Sequence, residues 1–280
     1  MALQSGIKTL QLSKVLCRNY ASAGKLVDVA VNDKTGVATV TMQRLPVNSL
    51  NLDLLNDLST TFTHLENNKC RGMILTSASN SVFSAGLDIM EMYKPDPDRV
   101  RSFWTTLQEM WIKLYGSAYP TVAVINGHSP AGGCLISMSC EYRIMLPKFT
   151  IGLNETQLGI VAPTWFAATM KNTIGTRQTE LALTQGRLFS TDEALQIGMV
   201  DEVAQTKEEG LSKAEQFLNK FARISPMARF ASKQVVRGKD IQNLAKNREQ
   251  DLNAFIDVVT LDKVQQGLQM YIESLKKKKA

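Results

Sequence analysis

The chain has 280 residues, 44% of them hydrophobic and 21% charged, the balance of an ordinary globular protein with a sizeable core. No run of about 18 apolar residues occurs, so no spanning helix is present, and membrane insertion is not expected. The formal net charge of +6 sits at the two ends: Lys8, Lys14 and Arg18 precede the first acid, Asp28, and residues 276–279 are lysines. The body is therefore near neutral and offers nucleic acid no basic face.

The first 20 residues are basic, acid-free and leucine-containing, the composition of a mitochondrial transit peptide. RNYAS (18–22) resembles a matrix-processing site, so cleavage near Tyr20 and a matrix location are expected. From there VDVAVND (27–33) and GVATVTM (36–42) alternate and are β-branched, and Lys34-Thr35 between them reads as a hairpin turn. PVNSLN (46–51) is a turn whose Asn51 can cap a helix with leucines at helical spacing through LDLLNDLSTTFTHLE. GMILTS (72–77) reads as a buried strand and 77–88 as a loop. A helix follows KPDPD and runs to about Tyr115. TVAVIN (121–126) is a strand, a glycine loop comes next, and CLISMSC starts a helix. YRIML (142–146) and FTIGL (149–153) are short strands. Helices around 163–172, 176–185 and 191–197 lead to a strand at 199–204, and everything from Lys207 reads helical. The whole is α/β with a helical C-terminal appendage, divided at about 1–20, 21–205 and 206–280.

Two loops share one plan. VFSAGLDI (82–89) and SPAGGCLI (129–136) each follow an apolar strand, put small residues where a side chain would block the backbone, and lead into a helix-compatible run. Neither matches a phosphate-binding glycine motif. A pair of N–H donors aimed at one developing oxyanion is the better reading. The four cysteines form no C-x-x-C pair and fit a reducing compartment. With only His64 and His128 besides, no metal site is expected. His64 reads as a surface residue and His128 as a plain loop residue.

FSAGLDIMEM, INGHSPAGGC and IGLNETQLGI together resemble the crotonase (enoyl-CoA hydratase/isomerase) superfamily, over roughly residues 26–275, and PVNSLN matches its early turn. In PAGGCL and GLNETQLGI the chain is most similar to the isomerase branch that acts in mitochondria. The resemblance implies a spiral of ββα repeats with a helical C-terminal region that builds homotrimers. It implies a fatty enoyl-CoA as substrate and no cofactor beyond the CoA the substrate brings. The thioester oxygen would lie between the N–H groups of Leu87 and Gly132, in a substrate-binding contour of Ala85, Gly86, Leu87, Asp88, Ile89 and Gly132.

Hydratases of the superfamily carry one glutamate just after the glycine loop and a second in the next strand-loop segment. Here those positions are Leu135 and Glu155. Leucine cannot orient water, so the resemblance implies isomerisation: Glu155 takes a proton from C2 and returns one at C4, moving a cis or trans 3-enoyl double bond to the 2-position in β-oxidation of unsaturated fatty acids. Apolar Ile151, Leu153, Leu158 and Ile160 around Glu155 would raise its pKa if the site is dry. Where dienoyl-CoA isomerases carry a further acid, this chain has Pro163. Asp88 is expected to fix its loop through backbone hydrogen bonds, Glu91 to meet solvent or a cation, and Glu141 to be structural. Leu135, Trp165 and Phe166 are acyl-pocket candidates, with plain core packing as the other reading of each. Lys233 reads as a solvated lysine or a partner for a CoA phosphate. The alternatives are a hydratase or other crotonase-type enzyme and a non-catalytic, RNA-binding homologue, which would need the basic face the body lacks.

Overall fold

The computed structural model describes residues 17–19 and 26–277. Most of the expected leader lies outside the described residues. Cys17–Asn19 (β1) pairs antiparallel with Val27–Asn32 (β2). β2 turns back through Asp33–Gly36 into Val37–Met42 (β3), closed by the Gly36 N–H donating to the Asn32 carbonyl at 2.7 Å. Asn51 caps Leu52–Asn67 (α1), accepting from the Leu54 N–H at 3.0 Å.

Each later turn of the chain repeats one pattern. A strand enters the main sheet, a short segment leaves it for a second layer, and a helix returns outside. Gly72–Ser77 (β4) leads to Pro97–Tyr115 (α2), whose N-terminus is capped by Asp96 with proline at the first helical position. Thr121–Ile125 (β5) leads through Ser129–Pro130 (β6) to Gly132–Ser139 (α3). Tyr142–Met145 (β7) leads through Thr150–Gly152 (β8) to Thr164–Ile174 (α4) and Thr176–Gln185 (α5). Phe189–Ser190 (β9), Thr191–Gln196 (α6) and Glu202–Val203 (β10) close the spiral. The main sheet runs β1-β2-β3-β4-β5-β7-β10, parallel from β3 onward, and the second layer is β6-β8-β9. This is the expected spiral of ββα repeats.

The main sheet is apolar on both faces because both are covered. Met73, Leu75, Ala123 and Ile125 face the large core under α1, α2 and α3, while the alternate Ile74, Val122 and Val124 face Ala214 and Leu218 of Lys207–Asn219 (α7). Pro226–Lys246 (α8), Arg248–Val259 (α9) and Asp262–Lys277 (α10) complete the helical C-terminus. One expectation shrinks: the strand over 199–204 survives only at β10, because the Met199 and Val200 N–H groups both donate to the Ala194 carbonyl and close α6 instead. The two-residue strands β6 and β9 carry no alternation long enough to read from sequence.

Candidate active site

The second layer brings the two small-residue loops together. The Leu50 N–H donates to the Gly86 carbonyl (2.8 Å) and the Asp88 N–H to the Leu50 carbonyl (3.0 Å), so the intervening Leu87 N–H turns the other way. The Phe83 N–H reaches the His128 carbonyl at 2.9 Å, and the Ala131 N–H reaches the Gly152 carbonyl at 2.8 Å. Gly86 has φ +87°, a conformation that favours glycine, and a Cβ on it would stand 2.9 Å from the Ala131 Cβ and 3.2 Å from the Gly132 nitrogen. A Cβ on Gly132 would stand 3.3 Å from the Leu87 nitrogen. Glycine at both places lets the loops touch and sets the two N–H groups side by side. Neither donates to an acceptor among the described residues. Ala131, at φ 49° and ψ −122°, is a non-glycine residue in strained backbone, and this twist aims the start of α3 at the same point.

The register of β6 on β8 pairs Ser129 with Ile151 and Pro130 with Gly152. The chain leaving β8 therefore passes the glycine loop and turns into a short 3-10 turn, Glu155–Leu158. That turn is pinned to α5 and the residue after it: the Thr156 hydroxyl donates to the Leu183 carbonyl and the Gln157 amide to the Gly186 carbonyl. Glu155 is 8% exposed, and neither carboxylate oxygen has a hydrogen-bond partner among the described residues. Burial pushes its pKa up to about 7, opposed only by its own backbone N–H, which falls short of hydrogen-bonding geometry. A buried carboxyl group without a partner is costly, and such groups gather where they do chemistry.

Glu155 opens onto a cavity of about 100 Å³. Ala85, Leu87, Ile89, Pro130, Ala131 and Asn154 contribute to its wall. Leu158, Ile160, Phe166, Met92, Trp104 and Phe255 give the wall apolar side chains. Of the three acyl-pocket candidates only Phe166 lies on this wall. Trp165 sits behind it, 4.5 Å from Phe166 between ring centroids, with its indole N–H on Asp251. Leu135 is fully buried in the large core under the first turn of α3. Asp88 turns away from the cavity: it accepts from the Met90 N–H (3.0 Å) and the Ser49 hydroxyl (3.2 Å) and pairs with Arg44 at 2.8 Å, which holds the loop. Glu91 is buried, takes two bonds from Arg99 (2.7 and 2.8 Å) and caps α1 through the Leu52 N–H.

Two further sequence readings resolve. His128 is exposed, and its Nδ1 accepts from the Thr150 N–H at 3.2 Å, so it belongs to the loop scaffold. Lys233 is neither solvated nor free for a phosphate. It is buried, and its ammonium donates to the Ser117 carbonyl, the Ser117 hydroxyl and Glu141. Burial lowers its pKa to about 8 against the pull of Glu141. Met92, Trp104, Phe255 and Tyr271 of the cavity wall went unread because they come from segments far apart in the chain. Helical periodicity marks such residues as buried and says nothing of what they face.

The enoyl-CoA hydratase/isomerase family model matches residues 32–279. The chain is 45% identical over 260 residues to mitochondrial enoyl-CoA delta isomerase 1 of Mus musculus, covering 92% of this chain and 90% of the relative. It is 44% identical over 265 residues to the Homo sapiens protein of the same name, covering 94% and 87%. A crystal structure of human mitochondrial delta3-delta2-enoyl-CoA isomerase superposes with a TM-score of 0.88 at 42% identity, over 91% of this chain and 100% of that one.

Proposed function

The chain belongs to the enoyl-CoA hydratase/isomerase family and works as a 3-enoyl-CoA isomerase, and we propose that one carboxylate, Glu155, carries the whole proton transfer. The observation behind this is the pairing of a buried Glu155, without a hydrogen-bond partner among the described residues, with the unused Leu87 N–H on the same cavity and the unused Gly132 N–H beside it. The thioester oxygen lies against the Leu87 and Gly132 N–H groups. Glu155 removes a proton from C2, the electron pair spreads over C2, C4 and the thioester oxygen, and the two donors stabilise the resulting dienolate. The same carboxyl group returns the proton at C4, leaving the double bond at C2–C3. No metal or redox cofactor takes part in this sequence.

Leu135 supplies no second carboxylate, in keeping with isomerisation rather than hydration. The position that would hold a second, water-orienting carboxylate is apolar and closed. Adding water needs two groups acting on it, and here one acid faces an apolar wall. Turnover of a 3-enoyl-CoA to the conjugated 2-enoyl thioester, read by absorbance, tests the reading. Glu155→Gln should lower kcat by about 100- to 10,000-fold; wild-type rates in the variant would remove Glu155 from the mechanism.

The relatives' mitochondrial names, together with the acid-free leader, support work in the mitochondrial matrix with residues 1–20 as a transit peptide. A homotrimer is the assembly we favour. Ile224 before α8 and Ala228, Ala231 and Val235 on it recur at the spacing of a helix-packing seam and are all exposed. Met227 and Val235 stand 79% and 86% exposed, which is unusual for large apolar side chains grouped on one face.

A further inference from the structure

Asp251 on α9 does nothing in the proton transfer, yet it is the most heavily used acceptor near the cavity. It accepts from the Trp104 indole N–H at 2.7 Å, the Gln108 amide at 2.8 Å and the Trp165 indole N–H at 3.1 Å. No cation pairs with it among the described residues. A side chain that collects three donors on two oxygens fixes all three relative to one another. The donors come from α2 and α4, so one side chain of α9 ties three helices together.

One turn further along α9, on the same face, stands Phe255. Its ring lies flat on Trp104, with centroids 3.6 Å apart and planes 7° from parallel. Trp104 is thus held at its N–H edge by Asp251 and on its face by Phe255. Trp104 and Phe255 are also the two aromatic rings that α2 and α9 bring to the cavity wall.

We propose that Asp251 is a positioning residue for substrate selection: by fixing the Trp104–Phe255 pair it sets one wall of the acyl cavity and so limits how long an acyl chain the enzyme accepts. The cavity of about 100 Å³ is small, and enlarging it at this pair means displacing Trp104 from its stack on Phe255. That displacement breaks the bond to Asp251. With the acceptor gone, the stack loses its edge restraint and a longer chain displaces it. This inference rests on the isomerase reading for the identity of the ligand.

The test uses the full chain, as wild type and as Asp251→Ala and Asp251→Asn. Dissociation constants for saturated hexanoyl-CoA and hexadecanoyl-CoA are measured by calorimetry, and kcat and KM are measured with the 3-enoyl thioesters of the same lengths. Asp251→Ala should shift the long-to-short affinity ratio by about tenfold or more toward the long chain. kcat on the short substrate should stay within about twofold, since nothing at Glu155 changes. Asp251→Asn keeps the shape but turns an amide donor toward one of the N–H groups, and should lie between. Because both ligands are compared on one preparation, partial misfolding lowers both and leaves the ratio alone. An unchanged ratio overturns the proposal. Wild type that binds both thioesters but turns over neither overturns the isomerase reading, and the binding ratio still decides the wall.

Discussion

Glu155 is the residue on which the proton transfer turns. Its two oxygens have no partner among the described residues, and burial pushes its pKa up to about 7. A base of that strength is half ionised near neutral pH and returns a proton readily, as a shuttle must. The kcat/KM for isomerisation should therefore fall tenfold per pH unit below a midpoint near 7, measured on the free enzyme; a midpoint in the ordinary carboxylate range would mean that the site is wet. The same shift has a sign in stability. A carboxyl with a raised folded pKa is tolerated while protonated and costs stability as pH climbs from its ordinary value through about 7. Glu155→Gln should raise Tm by several degrees at pH 8, the ceiling being about 3 kcal/mol, and should leave it unchanged near pH 4. Leu135 sends the opposite message. It is fully buried and off the cavity wall, so Leu135→Glu buries an unpaired charge. Thermal unfolding should show a loss of several kcal/mol, and the rate of hydration should not rise.

At the scale of elements, the second layer does the positioning. Single bridges from 50 to 87 and from 82 to 128, then β6 on β8, bring the two donor loops and the Glu155 turn to one place. Gly86→Ala tests the close approach: its Cβ would press on Ala131 from a left-handed backbone. The expected result is a kcat loss of about 100-fold or more, because the donors move apart, with a smaller loss of stability. Much of this was legible in the sequence. Alternation gave β2 and β3, leucine spacing and Asn51 gave α1, and the paired small-residue loops pointed to an oxyanion site. The two-residue strands that align those loops were not legible, since pairing over so short a span is decided by tertiary contacts. Nor was the buried state of Lys233, whose helix offers only a lysine among mixed neighbours and whose partners Ser117 and Glu141 lie about a hundred residues away.

For the whole molecule, the C-terminal helices have two jobs on two surfaces. α9 and α10 close the cavity through Phe255 and Tyr271 of the same chain. α8 keeps its buried side on the core through Lys233, Gly238 and Leu244 and turns an apolar seam outward. If that seam joins three copies, Val235→Glu should convert a trimer to monomers in light scattering while the far-ultraviolet circular dichroism stays the same. A variant that remains trimeric places the interface elsewhere.

The most direct test of the single-carboxylate account is the isotope content of the product formed from a 3-enoyl-CoA in deuterium oxide, sampled in the first turnovers. A buried acid that carries the C2 proton to C4 without meeting water predicts that a measurable fraction of product retains protium at C4. Complete deuteration at C4 from the first turnover would mean that solvent delivers the proton, and would contradict a dry shuttle through Glu155.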